Sequence, residues 1–316
     1  VLKEDSQLLD AAEVVQVGYG SVARRDLTGS VSKVDMDKLM KTSNSNFDHA
    51  IAGKVAGVVV TSADGQIGAD ATITIRGNNS LTQSNAPLYI IDGFPSESSM
   101  ASAINPADIE SIDILKDASA TAIYGARGAN GVIVITTKQG IEGKTKINFT
   151  ANTSVSKIIK KSPIMNAVEF VTFMSEYYDY IGATRNPYFY NPEDTAKPYT
   201  IDDYKKLESV DWQDDVYRKA IMQQYNLSVS GGSKEAGNRY NISLSATDQD
   251  GSIVNSNFKR YQGKINFSQR ITPKLQLDLN ANYSRSITSG MSPTSPSTTQ
   301  TTSSWFIYSL LGYRPI

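Results

Sequence analysis

The chain has 316 residues, 40% of them hydrophobic, and a net charge of −1. That balance leaves no electrostatic footprint for nucleic acid, and no basic run marks a membrane-surface patch. Cysteine is absent and there is one histidine, His49, with no evident acid partner, so disulfide frameworks, thiolate metal sites and the usual nucleophile–base pairs are excluded. No metal, cofactor or enzymatic activity is expected. No apolar run approaches the ~20 residues of a transmembrane helix. The opening Val1-Leu2-Lys3-Glu4-Asp5 does not read as a signal peptide, so a secreted form is expected to be mature or trimmed here. If this chain meets a membrane, it must do so as β-strands.

In chain order, residues 14–138 read as mixed α/β. Short β-branched runs bounded by Gly, Asn, Asp or Pro predict strands at Val58–Thr61, Ala71–Ile75, Leu88–Ile91, Ser111–Leu115 and Val132–Thr136. An apolar stripe over 47–56 predicts a helix stopping near Gly57. A second helix is expected over 117–124, with Asp117 as N-cap and Gly125 just beyond its end. Asp92-Gly93 is a turn signal that can nucleate a hairpin. Gly125, Gly128 and Gly131 lack the Gly-Lys-Ser/Thr of a phosphate loop, so no nucleotide is expected.

Near residue 145 the pattern changes to longer, strictly alternating strands. Ile147, Phe149, Ala151, Thr153 and Val155 share one face of 146–156, with Asn148, Thr150, Asn152, Ser154 and Ser156 on the other. The stretch 274–284 alternates in the same way, and 225–230, 239–248 and 260–271 are similar. Turns are expected at Asp248-Gln249-Asp250-Gly251 and near Thr272-Pro273. A half-buried soluble sheet also alternates. The Asn/Ser/Thr/Gln composition of the polar face, and a length of about ten residues or more, suit a barrel lumen and a bilayer crossing. Between the first two strands lies a long insert, 157–222. In it Asn166 and Glu169 form a predicted capping box for a helix ending at Gly182. The aromatic stretch Tyr188, Phe189 and Tyr190 follows, a candidate substrate or partner loop. A Ser/Thr-rich tract at 289–304 precedes Trp305, Phe306 and Tyr308, which suggest a further strand or an aromatic girdle.

A series of ordered motifs then becomes specific. Leu9 to Gly20 (Leu-Asp-Ala-Ala-Glu-Val-Val-Gln-Val-Gly-Tyr-Gly), Ile73-Thr74-Ile75-Arg76-Gly77 and Pro87-Leu88-Tyr89-Ile90-Ile91-Asp92-Gly93 come in turn. They lead to Asn105-Pro106-Ala107-Asp108-Ile109-Glu110-Ser111-Ile112 and Ala122-Ile123-Tyr124-Gly125-Ala126-Arg127-Gly128-Ala129-Asn130-Gly131. Together with Asp211-Trp212-Gln213-Asp214 and Phe258-Lys259-Arg260-Tyr261, the series resembles SusC/RagA-like TonB-dependent outer-membrane transporters over nearly the whole chain.

The resemblance implies an α+β plug domain followed by the first antiparallel strands of a large transmembrane β-barrel. Residues 1–12 would be the tail of a preceding segment, 13–21 the TonB-box region, 22–140 the plug, and 146–316 the early barrel with 157–222 as an extracellular insert. Glu13, Val14, Val15, Gln16, Val17 and Gly18 would form the TonB box, a β-prone segment able to add to a partner's sheet edge. An ordinary first strand of the plug is the plainer reading of the same residues. Arg76-Gly77, Asp92-Gly93 and Arg127-Gly128 would be plug motifs with gating roles. The two arginines suit either ties to acids of the barrel wall or local ion pairs on the plug. Implied partners are TonB, energised by ExbB/ExbD, a SusD-like surface lipoprotein, an oligosaccharide or peptide substrate, and outer-membrane lipid. A plugged barrel of about 22 strands needs on the order of 220 residues in strands alone; residues 146–316 supply 171. A partial barrel is therefore expected. The competing function is a soluble interaction or adhesion module of α/β plus β-meander type.

Overall fold

The computed structural model describes residues 14–17, 20–23, 31–36, 39, 46–62, 65–77, 84–117, 121–182, 187–189, 191, 196–290 and 306–315. Glu13, Gly18, Tyr190, Trp305, the tail 1–12 and most of the Ser/Thr tract lie outside them. Strands β1 (Val14–Val17) and β2 (Gly20–Ala23) pair as a two-stranded antiparallel sheet, Val14 opposite Ala23 and Val17 opposite Gly20.

Next comes an α+β unit. Its elements are β3 (Val31–Lys33), helical turn α1 (Phe47–Ala50), the hairpin β4 (Val58–Ser62) and β5 (Ala71–Ile75), β6 (Leu88–Ile91), β7 (Phe94–Ser96), α2 (Ser98–Ser102), β8 (Ile109–Leu115) and β9 (Val132–Thr137). A five-stranded mixed sheet runs β3-β8-β9-β6-β7, with β6 and β9 parallel and the other pairs antiparallel. Both of its faces are covered. Ile112, Ile114, Ile133, Ile135 and Tyr89 join Phe47, Ile51 and Ile73 in one apolar cluster. The alternate residues Leu88, Ile90, Leu115, Val132 and Val134 form a second on the opposite face. Burial on both sides explains why these strands read as continuous apolar runs. Phe47 meets Tyr89 edge to face, ring centroids 6.3 Å apart.

One helix expectation is corrected here. The stripe at 47–56 forms a single helical turn, after which the chain bends through Gly53 and Gly57 at φ +69° and +75°. Those left-handed glycines end the helix early. Of the second helix, expected over 117–124, residues 118–120 lie outside the described ones; Thr121 N–H donates to the Asp117 carbonyl (3.0 Å), and the chain goes on as a 3₁₀ segment, Ala122–Gly128, kinked at Gly125. The Asp117 carboxylate is engaged by Arg76.

From Gly143 the chain forms a five-stranded antiparallel meander: β10 (Gly143–Ser156), β11 (Ala220–Ser233), β12 (Asn238–Asp250), β13 (Asn257–Thr272) and β14 (Leu275–Ser289), each hydrogen-bonded to the next. The turn predicted at 248–251 falls later, at 251–256, because β12 stays paired through Asp250 opposite Asn257. The insert carries α3 (Ala167–Tyr180), α4 (Ile201–Tyr204) and α5 (Trp212–Val216). The capping box is present: Glu169 N–H donates to Asn166 Oδ1 (2.9 Å) and Asn166 N–H to Glu169 Oε2 (3.0 Å). Phe306 and Tyr308 belong to helix α6 (Phe306–Gly312), not to a strand. The end of that helix docks on the insert, where Trp212 Nε1–H donates to the Arg314 carbonyl (2.8 Å) and its ring meets Tyr313.

Register makes the two faces of the meander explicit. One row across all five strands is Phe149, Leu227, Leu244, Gly263 and Tyr283; the next is Ile147, Val229, Ile242, Ile265 and Ala281. Between them on the opposite face runs Asn148, Ser228, Ser243, Lys264 and Asn282. The apolar face is exposed and the polar face turns toward the α+β unit. Strands of 13–16 residues exceed the length a tilted strand needs to cross a bilayer. Among the described residues no helix is long and apolar enough to do so.

Candidate functional site

The α+β unit rests on the polar face of the meander, and most of its attachment runs along one strand. Every second residue of β13 from Phe258 to Asn266 reaches it. Phe258 lies flat against Gly68, whose φ of +74° and lack of a side chain make the approach possible; a Cβ there would collide with the ring. Arg260 is 5% exposed. Its Nη1 donates to Asn46 Oδ1 (2.8 Å), its Nε donates to Ser286 Oγ (3.0 Å), and its guanidinium stacks 4.8 Å from the Phe258 ring. Asp48 and Asp70 supply negative charge beside it. Burial, with those same two acids, pushes the Tyr89 hydroxyl well above its ordinary range.

Further along, Gln262 donates to the Ala103 carbonyl. Lys264 faces Asp92 and Asp108. Asn266 and, from β12, Asn241 both donate to the Lys138 carbonyl at 2.8 Å. Asp108 is hydrogen-bonded by Ser243 of β12, yet burial holds its carboxyl above the usual carboxylate range. Gly140 lies against the backbone at Tyr240 with no room for a Cβ. The seam is polar, made largely of side-chain amides and cations on single acceptors.

Residues 23–132 match the TonB-dependent receptor plug domain. The chain is 37% identical over 293 residues to the TonB-dependent receptor SusC of Bacteroides thetaiotaomicron, covering 90% of this chain and 27% of that protein. It is 35% identical to TonB-dependent receptor P3 of Formosa agariphila, covering 92% and 26%. The structure of the RagAB peptide importer in the "open-open" state superimposes with a TM-score of 0.70 at 35% identity, over 88% of this chain and 33% of that one. The chain belongs with the SusC/RagA-like TonB-dependent transporters. It spans about a quarter of the length of the curated relatives it matches. The α+β unit is the plug, and the meander is a stretch of outer-membrane barrel wall whose sheet is unclosed among the described residues. These relatives are TonB-dependent receptors and a peptide importer.

Seen as plug and wall, the residues singled out in the sequence fall in three places. Arg76, at φ +59° beside Gly77, pairs with Asp117 of the plug itself. Next to it the Lys116 ammonium reaches the Ala56 carbonyl, and burial together with the Arg76 charge lowers its pKa. Arg127 is exposed on the 3₁₀ segment, and Gly128 is buried against the Thr121 carbonyl. Asp92 and Gly93, both at positive φ, form the two-residue turn joining β6 to β7. The Asp92 carboxylate also accepts from the Thr137 N–H (2.8 Å) and hydroxyl (2.6 Å), so it locks one end of the plug sheet. In the insert, Tyr188 meets Phe170 edge to face at 5.3 Å, and its carbonyl accepts from the Tyr204 hydroxyl. Val14–Val17 lie in the β1–β2 pair.

Sequence reasoning missed the β13 stripe. A signal was present: Phe258, Arg260, Gln262, Lys264 and Asn266 put two cations and an aromatic on a face that elsewhere carries mostly Asn, Ser and Thr.

Proposed function

We propose that the protein imports a bulky nutrient, an oligosaccharide or a peptide, across the outer membrane, with the plug gating the barrel lumen. The observation that carries this reading is the two-faced wall: apolar rows face outward, polar rows face inward, and a separately cored plug is held on the polar side by hydrogen bonds. The peptide importer RagAB, similar in fold and sequence, supports the substrate range. Residues 13–21 act as the TonB-box region, with Glu13 to Gly18 captured by TonB under ExbB/ExbD energisation; the extended Val14–Val17 strand suits capture by strand addition. Residues 22–140 are the plug, 146–316 the early barrel, and 157–222 an extracellular insert. The short turns at 234–237 and 273–274 lie at the opposite end of the strands from that insert, as periplasmic turns do. Arg76-Gly77, Asp92-Gly93 and Arg127-Gly128 shape the plug loops that rearrange. A SusD-like lipoprotein caps the outer face, where Tyr188, Phe189 and Tyr190 meet it or the substrate.

The test is uptake by cells carrying the full-length protein, with and without residues 13–18. Import that vanishes on deletion, with normal membrane insertion, is the expected result. Undiminished import refutes the box assignment, and import in cells lacking TonB refutes energised gating.

A further inference from the structure

Across β11 to β14, charge on the outward face of the wall is confined to one end, the end where the insert joins the sheet. The outward residues of β14 from Leu275 to Tyr283 are uncharged, a stretch of about nine residues that matches a bilayer crossing. The next outward residue is Arg285, exposed and directly opposite Tyr261 of β13. The other outward charges are Lys259, two residues along β13 from Tyr261, and Asp248 and Asp250 of β12. Asp248 pairs with Lys259 (3.1 Å) and Asp250 with Arg218 (3.2 Å). Among the described residues Arg285 has no ion pair. Next to this cluster the face has a notch. Gly263 of β13 lies in its row between Leu244 and Tyr283. A Cβ there would touch only Leu244, at 3.4 Å; its φ is not left-handed, and the register runs through it unbroken. Neither strain, close packing nor a bulge requires glycine. One row further in, the small Ala281 stands opposite Ile265.

A lone cation on a lipid-facing wall is costly at depth and tolerated where polar headgroups reach it. The planar fork of arginine fits a phosphate with two parallel hydrogen bonds. A glycine inside a strand, with no reason in the backbone, marks a place where a ligand comes close. We propose that this corner of the wall binds one phosphorylated lipid of the outer membrane. Its phosphate sits on Arg285, with the Tyr261 hydroxyl and Lys259 beside it, and an acyl chain lies in the Gly263 notch between Leu244 and Tyr283. The phosphate gives the unpaired guanidinium a counter-charge at the level where the apolar band ends. The chain supplies the contacts that a side chain at position 263 would otherwise make. A free phosphate ion would satisfy Arg285 and leave the notch unfilled, so the notch singles out a lipid. With the insert outside, as proposed above, the lipid belongs to the outer leaflet. The site itself rests on the outward face of the wall and not on transport.

The test places the full-length protein in phosphatidylcholine nanodiscs carrying a trace of lipid A, or of lipid A stripped of its phosphate. Lipid retained after release into detergent is read by native mass spectrometry. The wild type is expected to retain lipid A and to lose the dephosphorylated lipid. Arg285→Gln is expected to lose both, and Arg285→Lys, which keeps the charge without the fork, to retain part of the lipid A. Gly263→Val fills the notch with a strand-favouring side chain. It is expected to insert normally and lose the lipid, which weaker folding does not explain. A wild type that retains neither lipid, or both equally, overturns the site. So does Arg285→Gln or Gly263→Val retaining lipid A as the wild type does. Release of lipid A by inorganic phosphate at equal concentration reduces the site to a plain anion site and overturns the lipid. If Gly263→Val fails to insert, the glycine serves the bend of the wall and the notch is overturned; Arg285→Gln then still decides the phosphate. A high-resolution structure in which a carboxylate of a neighbouring strand bonds Arg285 overturns the proposal outright. Loss or persistence of TonB-dependent uptake bears on the import reading alone.

Discussion

The plug sheet and the wall sheet are both five-stranded, yet they solve opposite problems. The plug sheet is apolar on both faces and carries its own core, from Phe47 and Ile73 on one side to Val132 and Val134 on the other. The wall sheet has no such core; its apolar rows face outward and its inward rows are Asn, Ser and Lys. The lesson lies at their meeting. A plug that is already folded can be held by a few polar contacts along β13, and such contacts can be released without unfolding either partner.

The comparison can be broken from either side. The largest effect is expected for Ile133→Asp, which places an unpaired carboxylate where the side chain is fully buried, at a cost of roughly 4 kcal/mol or more. Limited proteolysis of the full-length protein is expected to show a cleaved plug inside an intact barrel; a protected plug would contradict a self-standing core. Leu244→Arg on the outward row is expected to cost about 2–4 kcal/mol in refolding into lipid vesicles, and Ser245→Arg beside it far less. Equal penalties at the two positions would remove the two-faced assignment. Asn166→Ala deletes the side chain that caps α3 and is expected to cost about 1 kcal/mol. Faster amide exchange confined to 167–170 checks it, and a change at the seam would show the insert and plug to be coupled.

The smallest expected effect is a pH dependence of folding stability. Burial raises the Asp108 carboxyl above its ordinary range, so the folded chain retains a proton that the unfolded chain loses. In that window the folded state binds more protons, and its stability falls as pH rises. The Asp108 contribution is present below the ordinary carboxylate pKa of about 4 and is lost as pH rises through the raised value. Unfolding in urea, measured from about pH 4 to pH 7, is expected to ease with rising pH in the wild type and to lose that slope in Asp108→Asn. A slope of the opposite sign would assign the charge balance to other groups.

Local patterns carried much of the architecture. The β-branched runs of the plug and the alternating runs of the wall became strands within a few residues of their expected bounds, because burial on two faces and on one face leave different periodicities. The Asn166 cap and the Thr272-Pro273 turn were legible for the same reason: each is satisfied by neighbours in sequence. Helix ends were less legible. Gly53 and Gly57 took left-handed conformations that the apolar stripe over 47–56 did not disclose. Phe306 and Tyr308 read as strand or girdle, yet they lie in a helix whose end docks on Trp212 of the insert.

By itself the sequence determined which residues alternate, which runs are apolar throughout, and which turns must bend, since each follows from contacts within a few residues. It could not determine that Arg260 would meet Asn46, 214 positions away, or that Asn266 would meet Lys138 across 128. Nor could it show that Lys264 would face two plug acids across a cavity. Those partners were decided by the tertiary structure, because a polar side chain on an alternating strand can face lumen water or a docked domain with the same local pattern. Only the position of the plug against β13 distinguishes the two.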